Sequence, residues 1–124
     1  MRPTSIAELL ESARARIAPR LQPDELDGAI KRAALVVDIR PAEQRQRDGA
    51  LESAIVIDRN VLEWRLDPSS PDRIHEVEDH DREIVIVCNE GYSSSLAAAT
   101  LRDLGLHRAT DLAGGYQAWV RARA

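Results

Sequence analysis

Cys88, the one cysteine of this 124-residue chain, is the residue whose type and position best suit it to chemistry. It follows the apolar run Ile84–Val87 and precedes a polar stretch, residues 89–95, at the start of a helix-forming sequence. The carboxyl ends of buried strands are where open α/β sheets bind ligands. Backbone N–H groups of a loop and a helix N-terminus would favour the thiolate, the nucleophilic form of this side chain. The spacing alone also allows a buried structural thiol, so both interpretations stay open here.

The polar stretch after the cysteine contains residues that suit an anion-binding loop. Gly91 permits the positive φ that a tightly curved loop needs. Ser93 or Ser94 can cap the following helix and offer a hydroxyl to an anion. Tyr92 either lines the resulting pocket or packs over the loop. The stretch therefore predicts a thiolate cradle built mainly from the main chain.

Metal and histidine chemistry have little support in the sequence. A single cysteine cannot form an internal disulfide, and the three histidines, His75, His80 and His107, lack the paired spacing of a zinc site. Nothing local favours any of them as the base of a cysteine protease. We therefore expect solvated histidines, no metal and no cofactor.

The elements that must position the cysteine are predicted by the hydrophobic pattern. Apolar runs at residues 35–39, 54–57 and 84–87 are typical of parallel strands covered on both faces, and a short strand is predicted near residues 109–112. Helix-forming stretches lie at residues 41–48, 60–66, 72–80 and 96–104 and around Trp119. The alternation predicts an α/β fold with a roughly five-stranded, mostly parallel sheet flanked by helices on both faces. Trp64 and Trp119 are expected in the core or between helices.

Two helices are predicted before the first strand. Residues 5–17 carry apolar side chains at helical spacing and end before Pro19, and a second helix starts near Pro23 with acidic residues in its first turn. We interpret residues 1–19 as an N-terminal helical extension and residues 20–124 as one domain. The extension either caps an exposed sheet edge or mediates dimerisation, and the sequence does not separate these roles.

Composition limits the partners that this chain is expected to have. It is 44% hydrophobic and 31% charged with a net charge of -4, which offers no broad basic surface and disfavours sequence-independent nucleic-acid binding. No apolar run approaches the roughly 20 residues that cross a bilayer, and the N-terminus lacks the apolar region of a secretory signal. The sequence therefore predicts a soluble cytoplasmic protein without nucleic-acid or membrane partners.

Four stretches in order resemble motifs of the rhodanese-like sulfurtransferase family, single-domain type. They are Asp38-Ile39-Arg40, which resembles its D-x-R motif; residues 50–57, a degenerate form of its G-H-I-P-G-A turn; residues 88–98, similar to its C-x-x-G-x-R-S-x-x-A loop; and residues 104–119, which look like its closing L-G and L-x-G-G-x-x-A-W signatures. The resemblance implies a rhodanese-like fold for residues 20–124.

The resemblance also implies an activity. In that family the cysteine attacks a sulfane sulfur donor such as thiosulfate, becomes a persulfide and passes the outer sulfur to cyanide or a thiol. Cys88 is then the nucleophile and carrier. Backbone N–H groups of the loop would stabilise the anionic persulfide, and the loop residues are Asn89, Glu90, Gly91, Tyr92, Ser93 and Ser94. The implied partners are a small sulfur donor and a thiol or protein acceptor.

Asp38 and Arg40, at the end of a neighbouring strand, are implied to support this loop by hydrogen bonds. The alternative is a surface salt bridge between the two side chains.

The sequence departs from the family pattern at Ser93, where an arginine is usual. A fixed cation for a dianionic donor is then missing, and Glu90 adds a negative charge to the loop. We therefore expect poor use of thiosulfate and better use of persulfide donors. Phosphatase chemistry is disfavoured, because the phosphatases of this fold need an arginine at the position of Ser94.

The same departures support a second hypothesis of a different class. The chain would be a non-catalytic regulatory or partner-binding module, with Cys88 a thiol sensor or incidental. The missing loop arginine and the altered turn near Leu51 are the main support for this alternative.

Overall fold

The computed structural model describes residues 4–124, which form six α-helices and four strands. In chain order these are α1 (Ile6–Arg16), α2 (Leu26–Lys31), β1 (Leu35–Asp38), α3 (Ala42–Asp48), β2 (Ile55–Val56), α4 (Leu62–Leu66), β3 (Ile84–Val87), α5 (Ser93–Asp103), β4 (Ala109–Asp111) and α6 (Gly115–Arg123). Short 3-10 turns, Pro23–Glu25 and Arg59–Val61, lead into α2 and α4. The alternation of strands and helices confirms the predicted α/β class.

The sheet is parallel throughout, with the strand order β2-β1-β3-β4. Val37 in β1 lies opposite Ile55 on one side and Ile86 on the other. Four strands are present in the described residues where roughly five were expected. At the fifth position, beside β4, an isolated parallel bridge joins Leu21 to Leu112. It stays one residue long because the chain turns at Pro23, which has no backbone N–H to continue a ladder.

Side chains of the two central strands alternate between two apolar clusters. Val37 and Ile86 belong to the cluster covered by α1, α4 and α5. Val36 and Val85 belong to the cluster covered by α2 and α6. Because both faces of the sheet are covered, β1 and β3 are buried at every position, which explains their continuous apolar runs. The prediction of helices on both faces is confirmed.

The prediction of a helix at residues 72–80 is wrong. This segment runs as successive turns, with i to i+3 bonds such as that from the Val77 N–H to the Ile74 carbonyl. Ile74 and Val77 are the apolar residues of the segment, too few to make a helical stripe, and Val77 alone is fully buried. One buried side chain therefore anchors a loop.

The two tryptophans differ in their surroundings. Trp119 packs against the ring of Tyr116, with centroids 6.0 Å apart. Trp64 is 61% exposed, so its assignment to the core is wrong.

The N-terminal helix is close to its predicted bounds, and Ser5 caps it by accepting a hydrogen bond from the Glu8 N–H. It packs on α5 and contributes Ala13 to the first apolar cluster. The Leu21 bridge then brings the segment after this helix to the β4 edge of the sheet. No helix within residues 4–124 has the length and apolar character of a membrane span.

Candidate active site

The carboxyl ends of three neighbouring strands bring polar residues together at one edge of the sheet. Asp38 ends β1, Cys88 follows β3 and Asp111 ends β4. Beside Cys88 lies an open pocket of about 340 Å³. Its walls are Ile39, Arg40, Pro41 and Gln44 from the connection after β1, and Asn89, Glu90, Tyr92 and Ser93 from the loop after β3. This is the strand-end crevice that the sequence predicts for the cysteine.

The Cys88 sulfur faces main-chain amides although its side chain also borders the apolar cluster. Sγ accepts hydrogen bonds from the N–H of Gly91 at 3.1 Å and of Ser94 at 3.4 Å. Ser94 Oγ lies 3.2 Å from Sγ. Cys88 is 6% exposed and lines the pocket. The two amides directed at this sulfur can stabilise negative charge on it.

Ser94 connects the sulfur to a buried carboxylate. Its Oγ donates to Asp111 Oδ2 at 2.7 Å, and Ser95 Oγ donates to the same oxygen at 2.8 Å. Asp111 is 0% exposed and is paired with Arg20, whose Nε and Nη2 reach its two oxygens at 2.8 and 3.1 Å. A bidentate guanidinium and two hydroxyls fill the acceptor sites of the carboxylate.

The Gly91 carbonyl is held from the other side by two arginines of the N-terminal segment. Arg14 Nη2 donates to it at 2.8 Å and Arg20 Nη2 at 3.0 Å. Arg14 Nε also donates to Ser95 Oγ, and the guanidinium lies 5.4 Å from the centroid of the Tyr92 ring. The loop is therefore fixed by groups that lie far away in the sequence.

Two glycines allow the loop to pack closely on α6. Gly91 has φ +85°, and a Cβ there would lie 2.7 Å from the Gly114 nitrogen. Gly115 has φ +64°, and a Cβ there would lie 2.5 Å from the Cys88 carbonyl oxygen. The start of α6 binds the same loop, since the Tyr116 N–H donates to the Cys88 carbonyl at 2.9 Å. Both positions require glycine because any side chain would be strained and obstructed.

Asp38 and Arg40 form a buried ion pair, with Nη2 2.8 Å from Oδ2. Arg40 also donates to the Gly49 carbonyl at 3.0 Å and stacks on the Tyr116 ring at 3.8 Å. In the described part of the chain, the side chains of this pair make no hydrogen bond to residues 88–94. They brace β1, the end of α3 and α6, and Arg40 forms part of the pocket wall. The alternative of a surface salt bridge is wrong, because both side chains are buried.

The other loop residues lie at the pocket rim. Glu90, Tyr92 and Ser93 are exposed, with Tyr92 at 59%, and Asn89 accepts a hydrogen bond from Gln117 Nε2 at 3.0 Å. The prediction that a serine caps α5 is wrong. Tyr92 occupies the cap position without a side-chain bond, because Ser93 is already helical and the Ser94 hydroxyl turns to Asp111.

The three histidines are exposed, as expected. Among residues 4–124, no group of three or more histidine, cysteine, aspartate or glutamate side chains is placed to hold a metal ion.

Sequence analysis missed four residues of this site: Arg14, Arg20, Ser95 and Asp111. Asp111 carried a signal, since it is a carboxylate at the end of a predicted strand, at the same sheet edge as Cys88. Arg14 follows the inward-facing Ala13 on α1, which was a weaker signal.

Comparison with known proteins gives a family and several relatives. The family model described as rhodanese-like domain matches residues 22–122. A sulfurtransferase of Allochromatium vinosum is 36% identical over 88 residues, which are 70% of this chain and 72% of that protein. The adenylyltransferase and sulfurtransferase MOCS3 of Oryza sativa subsp. japonica is 30% identical over 112 residues, 86% of this chain. This chain corresponds to 24% of the length of that rice protein.

A solved structure is similar over the whole chain, including the N-terminal helix. It is a protein of Rhodopseudomonas palustris CGA009, described as of unknown function and as a possible tyrosine phosphatase. It is 29% identical, has a TM-score of 0.86, and the match covers 100% of this chain and 95% of that one.

Proposed function

Because this chain belongs to the rhodanese-like domain family, we propose that it is a sulfurtransferase that carries sulfane sulfur as a persulfide on Cys88. The observation that carries the proposal is the pair of amides, those of Gly91 and Ser94, at 3.1 and 3.4 Å from Sγ. They stabilise the negative sulfur that both steps of such a transfer require. The pocket beside Cys88 gives a donor access to that sulfur.

The first step forms the persulfide. The Cys88 thiolate attacks the outer sulfur of the donor, a new S–S bond forms, and the donor's own S–S bond breaks as its remainder leaves with the electron pair. The outer sulfur then extends into the pocket. The backbone N–H groups of Glu90, Tyr92 and Ser93 make no hydrogen bond within residues 4–124, so they are available to it.

The second step returns the cysteine. An acceptor thiolate attacks the outer sulfur of the persulfide. The bond between Cys88 Sγ and that outer sulfur breaks, and Cys88 leaves as the thiolate that began the cycle. No redox partner is needed, because the sulfane sulfur passes on at the same oxidation level. We propose a thiol, on a small molecule or a protein, as the acceptor.

We propose a persulfide as the preferred donor. Arg40, the guanidinium in the pocket wall, is already paired with Asp38. Glu90 and the hydroxyl of Ser93 occupy the part of the wall that comes from the loop. A dianion such as thiosulfate therefore meets a carboxylate and no unpaired cation in this wall, whereas a persulfide carries less negative charge.

The direct test is intact mass after incubation with a low-molecular-weight persulfide, followed by removal of the donor. We expect a gain of about 32 Da that a reductant removes. The control is Cys88→Ser, which should keep its circular dichroism spectrum and gain no mass. A folded wild-type chain that gains no sulfur from either a persulfide or thiosulfate would exclude the transferase and leave the regulatory module. If Cys88→Ser unfolds, the cysteine is structural.

The same samples test phosphatase activity, which the description of the R. palustris structure suggests for that protein. We expect no hydrolysis of an aryl phosphate, because the loop from Cys88 to Ser94 contains no arginine to bind the phosphoryl oxygens.

A further inference from the structure

We propose that Arg14 and Arg20 are positioning residues that keep the Gly91 and Ser94 amides directed at the Cys88 sulfur. Both arginines precede the region matched by the family model, residues 22–122. This inference rests on the proposed function, because the two arginines would serve to position a loop that stabilises a negative sulfur on Cys88.

Gly91 is anchored on both sides of its peptide unit. Its N–H donates to Cys88 Sγ at 3.1 Å. Its carbonyl accepts from Arg14 at 2.8 Å, from Arg20 at 3.0 Å and from the Ser95 hydroxyl at 3.2 Å, and the two arginines are the charged donors among these. Glycine has the widest backbone freedom of any residue, so an unanchored Gly91 would let this N–H turn away from the sulfur. Two charge-assisted bonds to one carbonyl remove that freedom.

The Asp111 carboxylate lies next to the Ser94 hydroxyl, which contacts the sulfur. If this carboxylate were unpaired, its negative charge would repel a negative sulfur strongly, because the two groups are close together and buried. Arg20 pairs with both of its oxygens. Arg20 therefore offsets the charge of the carboxylate and holds the loop carbonyl at the same time.

The Ser94 hydroxyl can donate its proton to either of two partners. When it donates to Asp111, the Ser94 oxygen is free to accept from the Cys88 thiol, the geometry observed here. When the sulfur is negative, the hydroxyl can turn and donate to it instead. Asp111 then keeps its bonds from Ser95 and Arg20, so the turn does not leave the carboxylate without partners.

The two arginines differ in whether a carboxylate offsets their charge. Arg20 is matched by Asp111, whereas Arg14 lies within 4 Å of no carboxylate in residues 4–124. Arg14 therefore adds a net positive charge beside a loop whose own sequence lacks the usual arginine at Ser93. The packing of α1 on α5 places Arg14, and the bridge at Leu21 places Arg20.

The experiment measures Cys88 alkylation by iodoacetamide across a pH series for Arg14→Gln, Arg20→Gln and wild type. We expect the rate near neutral pH to fall about tenfold in each variant, with the pH of half-maximal rate raised by roughly one unit. Arg14→Lys should recover part of the rate. The matched control is Arg16→Gln, because Arg16 also joins α1 to α5 but bonds to Ala99 and Asp103, away from the loop.

Folding is checked by urea unfolding of every variant. If Arg20→Gln does not fold, the double variant Arg20→Gln/Asp111→Asn removes the pair without leaving a buried charge. It should still show a higher pH of half-maximal rate than wild type, because the Gly91 carbonyl loses Arg20, but by less than Arg20→Gln, since no carboxylate is left to repel the sulfur. Folded Arg14→Gln and Arg20→Gln, or the folded double variant, with the wild-type alkylation profile would overturn the proposal. Alkylation needs no sulfur transfer, so a wild-type chain that gains no sulfur defeats the proposed function and still leaves this comparison decisive.

Discussion

Within residues 4–124, the Cys88 sulfur makes contacts at hydrogen-bond distance with Gly91 and Ser94 only. The two amides are main-chain groups, so their supply does not depend on side-chain identity. The Ser94 hydroxyl is a side-chain group that accepts from the Cys88 thiol and donates its single proton to Asp111. At the scale of the residue, Ser94 is therefore the position where the amide and hydroxyl contributions can be separated by substitution.

For Ser94→Ala we expect the rate of persulfide formation to fall about tenfold, because the negative sulfur loses the hydroxyl that can turn and donate to it, while the residue 94 amide stays. The free energy of unfolding should fall by about 1 kcal/mol, since buried Asp111 loses one partner. Single-turnover kinetics followed by intact mass measure the rate. Ser12→Ala, on the exposed side of α1, serves as control. An unchanged rate in folded Ser94→Ala would show that the hydroxyl does not assist the sulfur.

Donor choice is also a property of single residues. Ser93→Arg places a guanidinium in the wall of the pocket, at the position where the family usually has one. We expect kcat/KM for thiosulfate to rise about tenfold and that for a persulfide to change much less, because the new cation favours the dianion. Steady-state kinetics with both donors measure the ratio. A wild-type chain that already prefers thiosulfate would contradict the proposed donor.

At the scale of the element, the buried ion pair of β1 joins three parts of the fold. Arg40 bonds to Asp38 at the end of β1, to the Gly49 carbonyl after α3, and stacks on Tyr116 of α6. The pair therefore fixes the pocket wall that faces the loop at residues 88–94, although its side chains make no hydrogen bond to that loop. Removing one partner leaves a buried charge without compensation.

For Asp38→Ala we expect the free energy of unfolding to fall by about 3–5 kcal/mol. Urea unfolding followed by circular dichroism measures it. Arg47→Gln is the control, because the Arg47–Asp48 pair lies on α3 with the arginine largely exposed, and its loss should change stability little. If the two variants lose the same stability, Asp38 is not the anchor of this wall.

The elements themselves could largely be predicted from the sequence, and the contacts between them could not. The apolar run at residues 84–87 and Gly91 are local signals. They predicted the position of β3 and of the loop that follows Cys88. The helix predicted at residues 72–80 failed because helix-forming residues there have no apolar stripe to bury. Arg14 and Arg20 escaped notice because their partners, Gly91 and Asp111, come near only when α1 packs on α5 and Leu21 pairs with Leu112.

At the scale of the whole molecule, the two ends of the sheet carry different charge networks. The carboxyl ends of the strands hold Cys88 and its buried partners. At the opposite end, Glu83 precedes β3 and binds Arg32, which follows α2, at 2.6 Å, and Arg108, which precedes β4, at 3.4 Å. Stability that depends on Glu83 can therefore be changed without touching the sulfur site.

The pH dependence of stability follows from this second network. The hydrogen bond from Arg32 is the main cause that lowers the pKa of Glu83 below its ordinary value of 4.5. A carboxyl whose pKa is lowered by folding stabilises the folded state at pH above the unfolded value, and this contribution is lost as pH falls through the folded value. For Glu83→Gln we expect a lower urea midpoint than wild type at about pH 7, and a difference that becomes smaller as pH falls toward about 3. Cys88 alkylation should match wild type at neutral pH. A stability difference that persists unchanged in acid would mean that Glu83 acts through packing and not through its charge.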